Sequence, residues 1–561
     1  RALKAFAITT CAVAVLVFTS TAAAAGWTST IVPTNTVVSS PVAGGGYPGP
    51  AGATRPDAGT CRAGIYNSNH SESWLAVKPG TESIVGASKF YFENFSTFYD
   101  FHLGSYTIKQ GKAVATNQVQ GYDCTTAGPG GTFTQDMPPS WTNNTDPNVD
   151  FDTTGRAYQT TLPFNAYWAG GLHPNGEIDV SYSDDLGRHW LKANGGQALD
   201  STNNQTSTTL GHVEDKQWIA VNHIVGNVNQ DHVYAMWTTF NGSGGNGKIM
   251  VAISRDRGAT FSKAVQLTTP SATTPANTYV YPSVGSDGTV YVAFVSGYDT
   301  TNKNRVGHVY VTRSTDDGVT WTPFVLAASP VENPFGYFAN TKFRDGIIEN
   351  FAASPTYPGH AYLTYENWDV AAGTSDVYFK QSTNGGLTWS APTLVNDDAA
   401  TASTDQFQPS VAAGPGGAVA VAFYDRRAAC PSDASILAAH RGDSNTCIDV
   451  SIQAYKDSGG GAVAVGPNVR GSTSSWDPDQ PDQKVGGLTQ YPCAGHSDPC
   501  DVGRGFIGDY FGLAISNSNV YTLSVSTHYA SGTVHSDSGG PVYYQEQVLG
   551  TVSRAAFGTG Y

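Results

Sequence analysis

Residues 312–321 read "TRSTDDGVTW", and the same pattern returns three more times. The other copies are "SYSDDLGRHW" (181–190), "AISRDRGATF" (252–261) and "KQSTNGGLTW" (380–389). All four fit Ser-x-Asp/Asn-x-Gly-x-x-aromatic. Their closing aromatics, Trp190, Phe261, Trp321 and Trp389, lie 71, 60 and 68 residues apart. Recurrence at such intervals marks a chain built from stacked structural units. Each copy follows an alternation such as "HVYVTRS", the period of a strand. Asp185, Asp256, Asp316 and Asn384 can accept backbone N–H groups of a tight turn. Gly187, Gly258, Gly318 and Gly386 can take the positive φ that other residues avoid. The aromatic then fills the gap beside the hairpin. These side chains are therefore expected to be structural, with neither catalysis nor calcium binding assigned to them.

Upstream of each turn lies a second hairpin pattern: strand, Asp/Gly turn, strand. Examples are "YPSVGSDGTVYVAFVSGYD" (281–299) and "QPSVAAGPGGAVAVAFYDRR" (408–427). "DKQWIAVN" (215–222) and "GDYFGLAISNSNVYTLSVSTHY" (508–529) keep the same form. The expectation is an all-β chain, a single β-propeller of four-stranded antiparallel blades. Seven blades are counted, with six as the alternative. The blades occupy 70–561, with insertions at 428–447 and 471–504. Residues 26–69, rich in Thr, Gly and Pro, read as a linker that also supplies a strand to close the ring.

Arg1 and Lys4 precede an apolar run from Ala5 to Phe18, followed by small residues at Ala23 and Ala25. Residues 1–25 thus read as a signal peptide, and a secreted, extracellular protein is expected. No membrane span is expected, because no stretch reaches the length that spanning needs. Six cysteines remain beyond that segment, an even number suited to disulfides in an exported chain. Their spacing suggests Cys430–Cys447 and Cys493–Cys500, leaving Cys61–Cys124. The net charge is −15 and only 13% of residues are charged. With no basic stripe, nucleic acid is not an expected partner. No metal or other cofactor is expected, and the chain is expected to be a monomer.

The four turns resemble the Asp-boxes of the sialidase superfamily, and the resemblance covers about residues 70–553. It implies a propeller fold and a carbohydrate-directed function, with a glycan or glycoconjugate as partner. In that family an Arg-Ile-Pro signature precedes an arginine triad. Arg-Ile-Pro is absent here, so no catalytic residue carries over by motif.

Topology supplies candidates instead. Starts of first strands and ends of second strands lie opposite the recurrent turns, around the central channel. First-strand starts bring Asp215, Lys216, Arg344, Asp345, Gln408, Asp509 and Tyr510. Second-strand ends bring Glu366, Trp368, Asp425, Arg426, Arg427 and His528. Carboxylates, arginines and aromatics around one opening suit glycoside chemistry. Asp215 and Asp509 are the acid/base candidates, and Tyr510 or Glu366 the nucleophile or its partner. Arg344 and Arg426 would hold an anionic group, and Trp368 would stack on a sugar ring. Two functions follow: a glycoside hydrolase acting on terminal sugars, or a non-catalytic propeller that binds glycan or protein. The stretch "DSGGP" (537–541) spells the surroundings of a protease serine. Ser538 lacks the upstream histidine and aspartate segments that a trypsin-like site requires, and a loop is expected there.

Overall fold

The computed structural model describes residues 26–39, 53–54, 60–61, 69–93, 100–118, 143–165, 175–202, 212–241, 246–269, 276–297, 306–332, 336–340, 343–346, 349–398, 402–481, 483–485, 488–490 and 505–561. The expected signal peptide lies outside them, as do Cys124, Cys493, Cys500 and the side chain of Cys61. The protein is all-β, built from four-stranded antiparallel sheets.

Sheet 1 comprises His70–Val77, Ser83–Glu93, Asp100–Lys109 and Lys112–Gln118. Sheet 2 has the same plan with its first and last positions each split in two. Asn143–Thr145 and Asp150–Phe151 share Ala157–Asn165 as partner, and Leu191–Lys192 and Asp200–Thr202 share Asn175–Ser183. Sheet 3 runs through His212–Val221, Val233–Asn241, Asn246–Ser254 and Val265–Gln266. Sheet 4 is Asn277–Val284, Val290–Ser296, Val306–Ser314 and Val325–Glu332. Sheet 5 is Glu349–Ala353, Ala361–Asp369, Thr374–Ser382 and Thr393–Leu394. Sheet 6 is Gln406–Ala413, Ala418–Asp425, Asp449–Asp457 and Ala462–Arg470.

Sheet 7 takes Gly512–Ile515, Asn519–Ser526 and Glu546–Ser553 from the C-terminal end. Its outer strand is Thr34–Val37, paired Thr34 to Thr551 and Val37 to Val548. That pairing covers an edge that would otherwise stay open. Ser39 donates a hydrogen bond to the buried Glu546 at the end of this strand. The C-terminal tail forms a short 3₁₀ turn, Arg554–Phe557, and Tyr561 donates to Val419 O at 2.9 Å.

Second strands carry the core. Val290–Ser296 is buried along its whole length because sheets flank both of its faces, so it reads as a continuous apolar run. Tyr234, Met236 and Ile253 pack between sheets 3 and 4, and Tyr291, on the next face, meets Phe351 of sheet 5. The first strands of successive sheets adjoin one another, and that of sheet 7 returns to sheet 1.

The four recurrent turns join third to fourth strands of sheets 2 to 5 and share one geometry. Ser183, Ser254, Ser314 and Ser382 accept from the N–H of Gly187, Gly258, Gly318 and Gly386 at 2.7–2.9 Å. Those glycines have φ between 77° and 82°. Asp185 accepts from His189 N, Asp256 from Thr260 N, Asp316 from Thr320 N and Asn384 from Thr388 N, at 2.8–3.0 Å. Trp190 is buried against sheet 1, where its Nε1 donates to Gly187 O at 3.0 Å.

In the 428–447 insertion Cys430 and Cys447 form a disulfide around Ile436. Ser538 sits exposed in the turn of a hairpin, Ala530–His535 with Pro541–Tyr543, and its Oγ meets Ser536 Oγ at 2.9 Å. That hairpin is inserted between the second and third strands of sheet 7.

Candidate functional site

First strands of five sheets contain a non-glycine residue with positive φ: Glu72 (51°), Asp146 (56°), Lys216 (53°), Tyr279 (51°) and Gln408 (45°). Each lies six places before the residue that opens the turn to the second strand: Lys78, Asp152, Asn222, Gly285 and Gly414. In four of these sheets the register shifts there: Ser71/Trp74, Asp215/Trp218, Thr278/Tyr281 and Phe407/Ser410. In sheet 2 the first strand is interrupted at the same point. Such bulges re-aim a side chain, and non-glycine residues held at positive φ cost about 1–3 kcal/mol each. Positive φ thus recurs at equivalent positions of five sheets, towards one end of the ring of first strands.

Lys216 is the hub. Its Nζ lies 2.8 Å from Asp509 Oδ2, 3.3 Å from Asp146 Oδ2 and 3.9 Å from Asp215 Oδ1. Arg344 grips Asp509 from the other side, with Nη2 at 3.0 and 3.2 Å from its two oxygens. Lys89 pairs with Glu72 at 2.9 Å, and Thr145 Oγ1 joins this pair to Asp146. Phe506 lies under both Lys89 and Arg344, at 4.3 and 4.6 Å. Sheets 1, 2 and 3, the segment before sheet 5 that carries Arg344 and the segment before sheet 7 thus meet at one point.

The carboxylates differ in proton affinity. Burial raises Asp215 to about 6, with Lys216 opposing and Asp146 and Asp509 adding to the rise. Burial also raises Glu72 to about 7, reinforced by Asp146 and opposed by Lys89. Burial would lift Asp509 too, but Arg344 and Lys216 overcome it and hold the group well below the usual range. Asp146 is likewise lowered against its burial, by Lys216 and Lys89. Neighbouring carboxyls pushed apart in this way can divide acid and anion roles between them. The contacts of Lys216 cap the separation of the nearest Asp215 and Asp509 oxygens at about 7 Å, a span open to glycosidase carboxyl pairs at roughly 5–9.5 Å. Asp215 and Arg344 keep 36% and 43% of their side-chain surface exposed.

The other candidates are placed differently. Tyr510 is buried, and its hydroxyl donates to Pro147 O at 2.9 Å, so it serves as a wall. Its ring meets Trp74 and Trp218, and Trp218 meets Tyr281; these edge contacts seal the channel beneath the charges. Glu366 is buried and accepts from Gln408 N at 2.6 Å. It also shares a hydrogen bond with Asp345, forming a carboxyl pair beside the cluster, with Glu366 raised well above the usual range chiefly by burial. Arg426 does not reach the opening. It is wholly buried, with Nη1 on Asp405 at 2.9 Å and Nη2 on Ala339 O at 2.8 Å. Trp368 packs on Phe338, 6.2 Å between ring centres, away from the charges. Arg427 is committed to Asp425 and Asp397, and His528 to Ser435.

Sequence reasoning misses Glu72, Lys89 and Asp146. The stretches "SESW", "TDPN" and "DKQW" share only the closing Trp of the first and third; their distance from the following turn is what relates all three. Among the described residues no group of three or more potential metal ligands occurs, and no helix is long and apolar enough to cross a membrane.

No protein-family model and no curated protein matches the sequence. Solved structures give distant likenesses. A leech intramolecular trans-sialidase is 10% identical, over 67% of this chain and 66% of its own, with a TM-score of 0.38. A Penicillium chrysogenum α-L-arabinanase is 10% identical over 72% and 92%, with a TM-score of 0.35. A polysaccharide lyase acting on ulvan is 12% identical over 85% and 92%, with a TM-score of 0.40. At these scores the likenesses assign neither family nor activity to this chain.

Proposed function

We propose that the chain is a secreted, seven-bladed β-propeller of the sialidase-like kind, and that it hydrolyses glycosidic bonds of terminal sugars at the cluster around Lys216. The observation that carries this reading is the placing of two carboxylates across one ammonium: Asp215, with 36% of its side chain exposed, and Asp509, 5% exposed and gripped also by Arg344. Asp215, half-exposed, protonates the leaving oxygen. Asp509 remains an anion and stabilises positive charge that builds at the sugar carbon; water attacks that carbon and gives its proton to the Asp215 carboxylate, restoring the acid. Arg344, with 43% of its side chain exposed, orients an anionic or hydroxyl-rich group of the sugar. Lys216 sets both carboxylates and is a positioning residue. Seven sheets whose first strands adjoin in a cycle support the blade count, and the disulfide supports an exported protein.

The test is a screen of the purified chain against aryl glycosides, sialosides included. Loss of general acid catalysis is worth about 100- to 10,000-fold. Asp215→Asn should therefore lower kcat by at least 100-fold while keeping the folded structure. Part of that loss should vanish with leaving groups that need no protonation. Unchanged hydrolysis in Asp215→Asn would sink the assignment.

The alternative is a non-catalytic propeller that binds glycan through the same opening. The double clamp on Asp509 by Arg344 and Lys216 favours it, since a fully satisfied network also suits a fixed binding surface. Glycan binding by a chain that hydrolyses nothing in the screen would establish this reading.

A further inference from the structure

The other end of the channel is built for something else. Below the ring of Trp74, Trp218 and Tyr281 lies a cavity of about 220 Å³, lined by first strands of all seven sheets. It is hollow because of what stands two places before each first turn. That position is Ala76, Ala220, Ala352, Ala412 and Ala514 in five sheets, and Ser283 in a sixth. The seventh is Asp150. One carboxylate therefore interrupts a collar of methyl and hydroxymethyl groups.

Asp150 is fixed where it stands. Its oxygens accept from Phe151 N and from Val221 N of the neighbouring sheet, each at 2.8 Å. His223 lies beside it, Nδ1 3.8 Å from Asp150 Oδ1, also lining the cavity and itself 37% exposed on the turn side. No lysine or arginine lines the cavity. The carboxylate thus faces the cavity beside one imidazole and with no lysine or arginine on the lining, in a molecule whose net charge of −15 attracts cations.

We propose that this cavity binds a small organic ammonium ion with an aromatic body. The ammonium pairs with Asp150 at the rim, and the ring descends between the alanines towards Trp74 and Trp218. The volume fits: a cavity of about 150 Å³ holds benzene, and the remainder accommodates one methylene and the ammonium. Asp150 is the one acidic side chain of the lining, and such a fixed polar group sets orientation and selectivity. The site lies across the aromatic seal from the Lys216 cluster and does not depend on what that cluster does.

Isothermal titration of the full chain with benzylammonium chloride tests this, with benzyl alcohol as the neutral counterpart. Benzylammonium should bind with a dissociation constant in the millimolar range or tighter. Benzyl alcohol should bind at least tenfold more weakly, because a charge-assisted hydrogen bond contributes on the order of a factor of ten or more. Asp150→Asn should remove that preference. Ala514→Leu, two sheets round the collar from Asp150, should remove binding of both by filling the space. No heat with benzylammonium, equal binding of the alcohol, or an unchanged preference in Asp150→Asn would each overturn the proposal. Should Asp150→Asn fail to fold, the ammonium-to-alcohol ratio and Ala514→Leu still decide it.

Discussion

Aspartates do opposite work at the two ends of these sheets. On the turn face, Asp185, Asp256 and Asp316 sit in solvent and accept from N–H and hydroxyl groups within a few residues of themselves. Thr320, through its hydroxyl and its N–H, and Ser314 hold Asp316 at about 2. On the bulge face, Asp146, Asp215 and Asp509 are packed around the Lys216 ammonium, which is next to Asp215 in the chain but 70 residues from Asp146 and 293 from Asp509. Their proton affinities are set by burial and by Lys216, Arg344 and Lys89, and they diverge. A carboxylate served by its own turn is a local device. A carboxylate served by other sheets is a property of the closed ring.

The largest consequence falls on Lys216. Lys216→Met leaves three carboxylates around a missing cation, two of them only 5% exposed. Breaking a buried ion network by removing one partner costs about 3–5 kcal/mol. Urea unfolding of Lys216→Met should show a loss of that order. A loss below about 1 kcal/mol would mean that the cluster is solvated and behaves like a surface network.

The same contrast explains what the sequence makes legible. The recurrent turns announce themselves because their chemistry is complete within eight residues. The strand order and the closing strand follow from periodicity and from a final sheet short of one strand. The cluster does not announce itself. Lys216 and Asp509 are 293 residues apart, and the bulge positions carry Glu, Asp, Lys, Tyr and Gln in turn. Topology could place Asp215, Arg344 and Asp509 at the right end. It could not show that Arg426, also at a strand end, turns inward to Asp405 and to backbone carbonyls of other segments. A strand-end arginine reads alike in both cases; only the partner brought by the fold distinguishes them.

On the turn face the expected effects are smaller and local. Gly318 has φ of 79°, and a Cβ there would stand 2.3 Å from Ile253 Cδ1 of the adjoining sheet. Gly318→Ala should cost about 1–2 kcal/mol, from the positive φ and the displaced isoleucine. Calorimetry would register this as a lower midpoint with unchanged heat-capacity change. A neutral result would show that the turn can relax without its neighbour.

The raised carboxyls of the bulge face and the turn aspartates should pull stability in opposite directions with pH, with Asp146 and Asp509 siding with the turns. Asp316, Asp185 and Asp256 have lowered pKa values, so their contribution is present above the unfolded value, near 4, and fades as pH falls. Asp215 at about 6, with Glu72 and Glu546 at about 7, are raised chiefly by burial. There the folded state binds more protons than the unfolded one, so stability is full below about 4 and is lost as pH rises towards 7. The unfolding midpoint should therefore peak in the mildly acidic range. Glu546→Gln, beside Ser39 at the closing strand, should flatten only the limb above the peak. A midpoint that rises steadily from pH 4 to 7 would contradict the buried protonated carboxyls.

The smallest effect sharpens the comparison most. In the fourth turn the Asp position is occupied by Asn384, which accepts from Thr388 N at 3.0 Å and reaches Thr388 Oγ1 at 2.8 Å with its amide nitrogen. Asp316 makes the matching pair of contacts to Thr320, with the hydroxyl donating instead. The turn thus needs an acceptor and a second hydrogen-bonding atom, and the charge is dispensable. Asp316→Asn should leave the unfolding midpoint at neutral pH unchanged within error, while Asp316→Ala lowers it. The same Asp-to-Asn exchange at Asp215 removes a proton that no neighbour can supply, and should act on turnover. If Asp316→Asn proves as damaging as Asp316→Ala, the turn carboxylate carries an electrostatic role, and the division between the two faces fails at the turn.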